Sequence, residues 1–437
     1  MYGLLTDLYE LIMAAGYFQT GKSEEKATFE LAVRRLPSNR NFVIAAGLPS
    51  AVDYLLNLSF SAEEIDFLRG LEQFRAVPPA FFEYLRGFRF TGDLFAVPEG
   101  TPLFAGEPML YVRAPVIEGQ IPETFLLSAV TYPTLVASKA ARCVGVAGGR
   151  PVVEFGSRRA HSPEAAVIGA RAAYIGGCAS TSNAQAGLRY GIPVSGTTAH
   201  SWVMSFPTET EAFRQLQRVR GDATVQLIDT YDALEGARRA AKLGRPLRAV
   251  RIDSGDYQTV SREVRAILDE AGLADAQIMA SGDLDEFKIR ELVEGGAPID
   301  AFGVGTQLAT SYDAPAMGAI YKVVEVDIQG IKRFTAKYSE GKITDPGAKQ
   351  IFRETARDVL ARSSECGRGE ALLRPVIIGG NLVEPLPSVE EARERAAEAI
   401  AKLSPALRQL ETVEPRAVVQ SLELRNLIEQ TRRNLLA

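Results

Sequence analysis

The chain has 437 residues, 46% of them apolar and 24% charged, with a formal net charge of −5. This is the mix of a globular protein of two or three domains, and no long run of one charge sign suggests a nucleic-acid surface. Three scattered cysteines, Cys143, Cys178 and Cys366, form no CxxC and are odd in number, which argues against a disulfide framework or a structural zinc site and for a reducing compartment.

The start, MYGLLTDLYELIMAAGYF, meets Asp7 and Glu10 without a basic n-region, so no signal peptide is expected. No apolar stretch is long enough to cross a bilayer, and the chain reads as cytoplasmic with no membrane partner. Leu4–Phe18 has the pattern of a short amphipathic helix. ATFELAVRRL (27–36) alternates like a strand, and helical stretches follow near 49–57 and 61–69. LFAVPEGTPLFAGEPMLYVRAP (94–115) reads as strand-turn-strand, with Pro and Gly at the reversals. A long helical pattern from Ile121 to about Val146 is expected to bend at Pro133.

From Pro151 the texture changes. Short apolar runs recur at PVVEF (151–155), YIGGCAS (174–180), IPVSG (192–196), TVQLID (224–229), LRAVRID (247–253), AQIMAS (276–281) and IDAFGVG (299–305), with helix candidates between most of them. Seven such units fit a βα-barrel, and a doubly wound sheet is the structural rival. After about residue 320 the alternation stops. YKVVEV and KRFTAKY predict a hairpin around Gln329-Gly330, and a helical tail opens at Ser388 with a capping box to Glu391.

The expected fold is therefore α/β: an irregular, TIM-like βα-barrel as central domain, an N-terminal α/β sandwich domain and a helical C-terminal segment. The expected boundaries are 1–117 with a bridging helix 118–147, then 148–320, then 321–437, with the late strands returning to the N-terminal domain.

In a barrel, active-site groups project from the C-terminal ends of the strands. Five of the seven runs end in glycine together with a charged, hydroxyl or imidazole group: Gly156-Ser-Arg158-Arg159, Gly196-Thr197-Thr-Ala-His200, Asp253-Ser-Gly-Asp256, Gly282-Asp283 and Gly303-Val-Gly305-Thr306. An isolated GxGT is as readily a tight turn, but late in a barrel it suits phosphate. Asp256 reads equally as a helix cap, whereas Asp253 at the strand end suits ribose hydroxyls or a phosphate-bound Mg²⁺. Arg158, Arg159 and Arg251 suggest an anionic ligand rather than surface charge. His200 is one of only two histidines, and a neutral imidazole there can act as a general base or as a nucleophile toward phosphoryl groups. The other, His161, reads as structural. No Walker A sequence is present.

Seven segments in order, TDLYELIMAAGYF, VPEGTPLFAGEPMLYV, EFGSRRAHSPEAA, SGTTAHSWVMSF, VRIDSGD, SGDLDEFKI and FGVGTQLATS, resemble the nicotinate phosphoribosyltransferase family, type II phosphoribosyltransferases of NAD salvage, from about Thr6 to Arg353. The resemblance implies transfer of phosphoribosyl from phosphoribosyl pyrophosphate (PRPP) to nicotinate, giving nicotinate mononucleotide and pyrophosphate, coupled to ATP hydrolysis. It implies Mg²⁺ with PRPP and ATP, and a homodimer with shared active sites in which Tyr9 reaches the partner's pocket. It implies that His200 is phosphorylated by ATP, that Thr197 and Arg251 hold nicotinate, and that Gly282, Gly305 and Thr306 hold the PRPP ribose and phosphate.

The resemblance also places Phe155 in the slot where some relatives stack an aromatic on the pyridine; beside it, the residue chemistry adds Arg158 toward nicotinate, Arg159, Gly303 and Lys337 toward phosphate, and Asp253 and Asp283 as catalytic carboxylates. Lys322, Lys337 and Lys349 are candidates to draw in pyrophosphate, although surface lysine is the common alternative. No protein ligand of a metal is assigned. By the same resemblance, GGCASTSN (176–183) has no acid where the nicotinamide-specific relatives place an aspartate on the ligand amide, which implies nicotinate rather than nicotinamide. The alternatives are a nicotinamide or quinolinate phosphoribosyltransferase, or a sugar-phosphate βα-barrel enzyme of another class.

Overall fold

The structure, a computed structural model, describes residues 2–339 and 343–436. They fall into two compact units, Met1–Thr134 with Ala316–Ala437, and Leu135–Pro315. The division lies inside the helix Glu123–Val146, which holds Pro133, and not at the helix end near residue 147. Side-chain anchoring explains it. On the first unit's side, Ala46 N donates to Thr134 Oγ1 at 3.1 Å, and a Cβ on Gly47 would lie 2.1 Å from the Ala129 carbonyl. On the second unit's side, a Cβ on Gly176 would lie 2.2 Å from the Ala137 carbonyl, while Lys139 pairs with Glu286 and Asp313.

In the second unit, a six-stranded parallel sheet runs in the order Ser180–Thr181, Val152–Glu154, Ala301–Val304, Gln277–Ser281, Ala249–Ile252, Val225–Leu227. The strand first in sequence pairs with the last, Val153 opposite Gly303, and the other strands follow in chain order around them. IPVSG forms no strand of its own. Only Val194 makes an isolated parallel bridge, to Thr181. Pro193 has no N–H to donate, and Val194 is 56% exposed, so the run has neither the ladder nor the burial of the others. Among the described residues no pairing joins Val194 to the Val225–Leu227 strand, so the ring expected of a barrel is not closed by hydrogen bonds. One face of the strands is apolar, with Val250, Ile252, Ile278, Ala280, Phe302 and Val304 all buried, while Arg251, Ser281 and Gly303 stand on the alternate face.

The first unit is built on a seven-stranded antiparallel sheet in the order Ile331–Phe334, Gly318–Ile328, Lys26–Arg35, Pro108–Pro115, Asp93–Ala96, Arg374–Ile378, Asn381–Leu382. The hairpin turns at Gln329 and Gly330, both at positive φ. A second sheet of four strands runs Glu370–Ala371, Lys349–Arg353, Arg357–Arg362, Ala417–Gln420. The C-terminal segment is thus not chiefly helical. Its helices, Val389–Ala401 behind the Ser388 capping box and Leu422–Leu436, are joined to strands of two to six residues, too short and too charged to show a period in the sequence.

Lys26–Arg35 lies between two partners and is buried continuously from Ala27 to Val33, so its apparent alternation is not an in–out pattern. Glu30 is one of the inward groups, and Lys349 meets it, donating to its two carboxylate oxygens at 2.9 and 3.0 Å and to the Asp345 and Gly347 carbonyls. Burial pushes the Glu30 carboxyl up, and Lys349 opposes the shift. Lys349 is therefore a core ion-pair partner with no free charge to offer pyrophosphate. Removing it leaves a buried carboxylate unpaired. We expect Lys349→Met to lose about 3–5 kcal/mol of stability in denaturant unfolding, and Lys349→Met/Glu30→Leu to recover most of that loss.

Candidate active site

The C-terminal ends of the second unit's strands open into a cleft of about 560 Å³. Its geometry begins with Glu154, buried at the end of the first strand. The carboxylate accepts from the Gly156 N–H and, at 2.5 Å, from the Thr181 hydroxyl. Burial raises its pKa and these bonds oppose the rise. The turn it holds continues into the short helix Ser157–Arg159, and a Cβ on Gly156 would lie 2.3 Å from the Ala309 Cβ and 2.8 Å from the Gly305 carbonyl. This packing brings Arg158 and Arg159 into one cleft with Gly303, Gly305 and Thr306. A Cβ on Gly303 would meet the Phe155 ring at 2.6 Å, so the ring lies against that glycine. Thr306 opens the one-turn helix Thr306–Ala309, with Leu308 N and Ala309 N both donating to the Gly305 carbonyl at 3.1 Å.

Across the cleft, Arg251 sits on strand Ala249–Ile252 with only 12% of its side chain exposed. It donates to Thr197 Oγ1 at 2.5 Å and lies 3.7 Å from Asp253 Oδ1. Burial pulls its guanidinium below the ordinary value, Asp253 and Asp229 push back, and Arg158 adds to the fall. His200 starts the short helix His200–Met204. Its Nδ1 is 3.2 Å from Thr230 Oγ1 and its Nε2 is 3.7 Å from Asp253 Oδ2. Asp253 also accepts from the Ser281 hydroxyl, and its N–H donates to Asp229 Oδ2 at 2.8 Å. Asp256 caps the helix Tyr257–Glu270 through Gln258 N and Thr259 N, the structural role that its spacing also allowed.

Gly282 (φ +87°) and Asp283 (φ +45°) form the turn after strand Gln277–Ser281. Asp283 pays about 1 kcal/mol for a left-handed backbone that a non-glycine residue rarely adopts. Twelve of the fourteen expected site residues, all but Tyr9 and Lys337, line this one cleft. Tyr9 lies in the first unit, 46% exposed on the helix Leu8–Gln19. Lys337 borders a different cavity of about 260 Å³ with Arg34 and Lys322, and Lys322 is paired with Glu123 at 2.8 Å. His161 is exposed and outside the cleft.

Asp229, Thr230 and Tyr257 were not anticipated. The first two close the TVQLID run without a glycine, and Tyr257 reads as an ordinary first helical residue. Three buried polar atoms around the cleft have no hydrogen-bond partner: Thr198 Oγ1, Arg251 Nε and Asp229 Oδ1. A mouth rich in unmet donors beside carboxylates suits a ligand with both anionic and hydroxyl groups. Among the described residues, no group of three or more His, Cys, Asp or Glu is arranged to hold a metal ion.

Comparison with known proteins gives this chemistry a family. Residues 4–131 match the nicotinate phosphoribosyltransferase N-terminal domain, residues 151–364 the nicotinate phosphoribosyltransferase family and residues 337–428 its C-terminal domain. The chain is 44% identical to nicotinate phosphoribosyltransferase pncB2 of Mycobacterium tuberculosis, over 93% of this chain and 89% of that one. The chain belongs to the nicotinate phosphoribosyltransferase family. It is also 45% identical to the nicotinate phosphoribosyltransferase of Bacillus subtilis, over 80% of this chain and 72% of that one. The crystal structure of human nicotinic acid phosphoribosyltransferase is similar to it with a TM-score of 0.85 at 29% identity, over 97% of this chain and 99% of that one.

The Gly282 turn leaves no room for a side chain, because a Cβ there would lie 2.0 Å from the Asp253 carbonyl. Gly282→Ala must shift either Asp253 or the turn. We expect it to lower stability by about 1–3 kcal/mol and the family activity by at least about tenfold, read from thermal unfolding and initial rates.

Proposed function

We propose that the cleft carries out the nicotinate phosphoribosyltransferase reaction of NAD salvage, coupled to ATP through a phosphohistidine at His200. The observation that carries this reading is the convergence on one cleft of Arg251 with Thr197, His200 with Asp253, and the Gly282–Asp283 and Gly303–Thr306 turns, in a chain of this family.

In the proposed reaction, the nicotinate ring nitrogen attacks C1 of PRPP. The C1–O bond breaks with its electron pair leaving on pyrophosphate, and the ring becomes a pyridinium with no proton transferred. Catalysis then rests on position and charge. Arg251 and Thr197 hold the carboxylate, Phe155 lies against the ring and Arg158 adds charge. Asp253 and Asp283 orient the ribose and offset positive charge developing at C1. Arg159, Gly303, Gly305 and Thr306 take the phosphates. In the coupling step a neutral His200 nitrogen attacks the γ-phosphorus of ATP, an N–P bond forms and the bridging P–O bond breaks toward ADP. Mg²⁺ enters as part of the PRPP and ATP substrates, keeping several of its waters.

A homodimer belongs to the same proposal, with Tyr9 of the partner subunit and Lys337 completing each site. Leu8, Tyr9, Ile12 and Met13 support it: at helical spacing on the helix Leu8–Gln19 they form one stripe of apolar side chains, each 37–46% exposed, and Leu5 ahead of the helix is exposed as well. We read the cyclic strand order of the second unit as an irregular barrel with its seam between Val194 and Val225–Leu227. The compartment proposed is the cytoplasm, in keeping with three free cysteines; no helix among the described residues is long and apolar enough to cross a membrane.

The test is nicotinate mononucleotide formation from nicotinate, PRPP and Mg²⁺, with and without ATP. Wild type is expected to run faster with ATP and to carry acid-labile phosphate, and His200→Ala to keep a slow ATP-independent rate with neither property. ATP stimulation surviving in His200→Ala would overturn the phosphohistidine. Separately, Arg251→Lys keeps one charge but loses the forked contact. It is expected to raise KM for nicotinate by about 10-fold or more, with a smaller effect on KM for PRPP.

A further inference from the structure

The phenol of Tyr257 lies outside the cleft yet touches both of the strand ends that shape its sugar-phosphate side. Its oxygen is 2.6 Å from the Ser281 carbonyl, 2.8 Å from the Gly282 carbonyl and 3.2 Å from the Asp253 carbonyl. A phenol has one proton to share among the three. Burial, with Asp253, Asp229 and Asp283 nearby, pushes its pKa upward, so the donor stays protonated across the physiological range.

The group that carries this hydroxyl is itself firmly anchored. Tyr257 is the first residue of the helix Tyr257–Glu270, capped by Asp256, and it lies on the same helix face as the buried Ser261, Val264 and Leu268. The turn that it meets is strained, with Gly282 at φ +87° and the non-glycine Asp283 at φ +45°. Such a turn persists only where its surroundings hold it. Two side chains do so: Tyr257 at the Gly282 carbonyl, and Lys288, whose Nζ donates to the Asp283 carbonyl at 2.7 Å. Ser281 adds a third link by donating to Asp253.

We infer that Tyr257 is a positioning residue for PRPP: its hydroxyl clamps the Asp253 and Ser281–Asp283 strand ends together and keeps Gly282 and Asp283 aimed into the cleft. The inference rests on the proposed reading of the cleft as a PRPP site. It assigns the two substrates to different supports: none of the three hydrogen bonds of this hydroxyl goes to Arg251 or Thr197, and it meets that side only through the backbone of Asp253, whose carboxylate lies 3.7 Å from Arg251.

The experiment compares the full-length wild type with Tyr257→Phe and Lys288→Met, varying PRPP at saturating nicotinate and then the reverse. Tyr257→Phe is expected to raise KM for PRPP by about 10-fold while KM for nicotinate moves less than about 2-fold. Lys288→Met, an exposed change that spares the helix core, should shift KM in the same direction by a smaller factor. Amide hydrogen exchange over residues 281–285 should quicken in both variants, a readout that does not depend on turnover. An unchanged KM for PRPP in Tyr257→Phe, or both KM values rising together, overturns the inference. So does unchanged exchange over 281–285. Wild-type turnover that does not depend on PRPP at all would instead sink the reading of the cleft, and the inference with it.

Discussion

The pairing of the Val152–Glu154 strand with Ala301–Val304 is the constraint on which the cleft depends. These strands are separated by about 150 residues of chain, and closing so long a loop carries an entropic cost that local contacts do not meet. What meets it is close packing at glycines. Gly156 has no room for a Cβ beside Ala309 and Gly305, and Gly303 has none beside the Phe155 ring. Each glycine lets one backbone approach the other, and the approach sets the two arginines of the first turn beside the phosphate-type turn of the last. A single methyl group at either position would have to push them apart by about an ångström, a misplacement large enough to spoil the alignment of a reacting substrate.

Charge placement follows from burial rather than from charge count. Lys349, Lys322 and Lys337 are equivalent as letters, but the structure gives them three fates. The first is sealed against Glu30, the second is paired with Glu123 at a half-exposed site, and the third borders a cavity in the first unit. The arginines divide in the same way. Arg251 is kept in a desolvated position by Asp253 and Asp229, so it is held ready for a planar anion, whereas Arg158 and Arg159 are exposed and free to adjust.

The division between what was legible in the sequence and what was not has a physical basis. Runs such as AQIMAS and LRAVRID read as strands because their core-facing positions, Ile278, Ala280, Val250 and Ile252, are apolar, while the alternate face carries Arg251 and Ser281 to the cleft. Their glycine-bearing ends stood out for the same reason, since a tight turn beside a ligand demands both a missing Cβ and a polar group. IPVSG misled because its letters do not show that Val194 is exposed and makes only an isolated bridge to Thr181. The C-terminal strands were hidden because their stabilisation is long-range: Arg374–Ile378 pairs with Asp93–Ala96, almost 280 residues away, and no local period marks it. Asp229, Thr230 and Tyr257 act through neighbours brought in by the fold, and a linear reading has no term for a tyrosine whose partners are three carbonyls on two other strand ends.

The cleft is also costly to the protein that carries it. Leaving Thr198 Oγ1, Arg251 Nε and Asp229 Oδ1 buried without partners costs about 1–3 kcal/mol for each group, and the left-handed Asp283 adds to that. A fold selected for stability alone would fill these positions with apolar side chains or pair them internally. Glu30 and Glu286 in the interior are, by contrast, each met by cations that the fold itself supplies. A ligand that supplies the missing acceptors and donors returns part of this energy on binding and so stabilises the folded state, by about 2.7 kcal/mol when present at a hundred times its dissociation constant. Arg251 Nε and Asp229 Oδ1 belong to neighbouring strand ends, where Ile228 N donates to the Arg251 carbonyl and the Asp229 carboxylate accepts from the Asp253 N–H. The coupling between ligand and fold is therefore strongest for a ligand that brings to this corner an anionic group for Arg251 and hydroxyls for the aspartates.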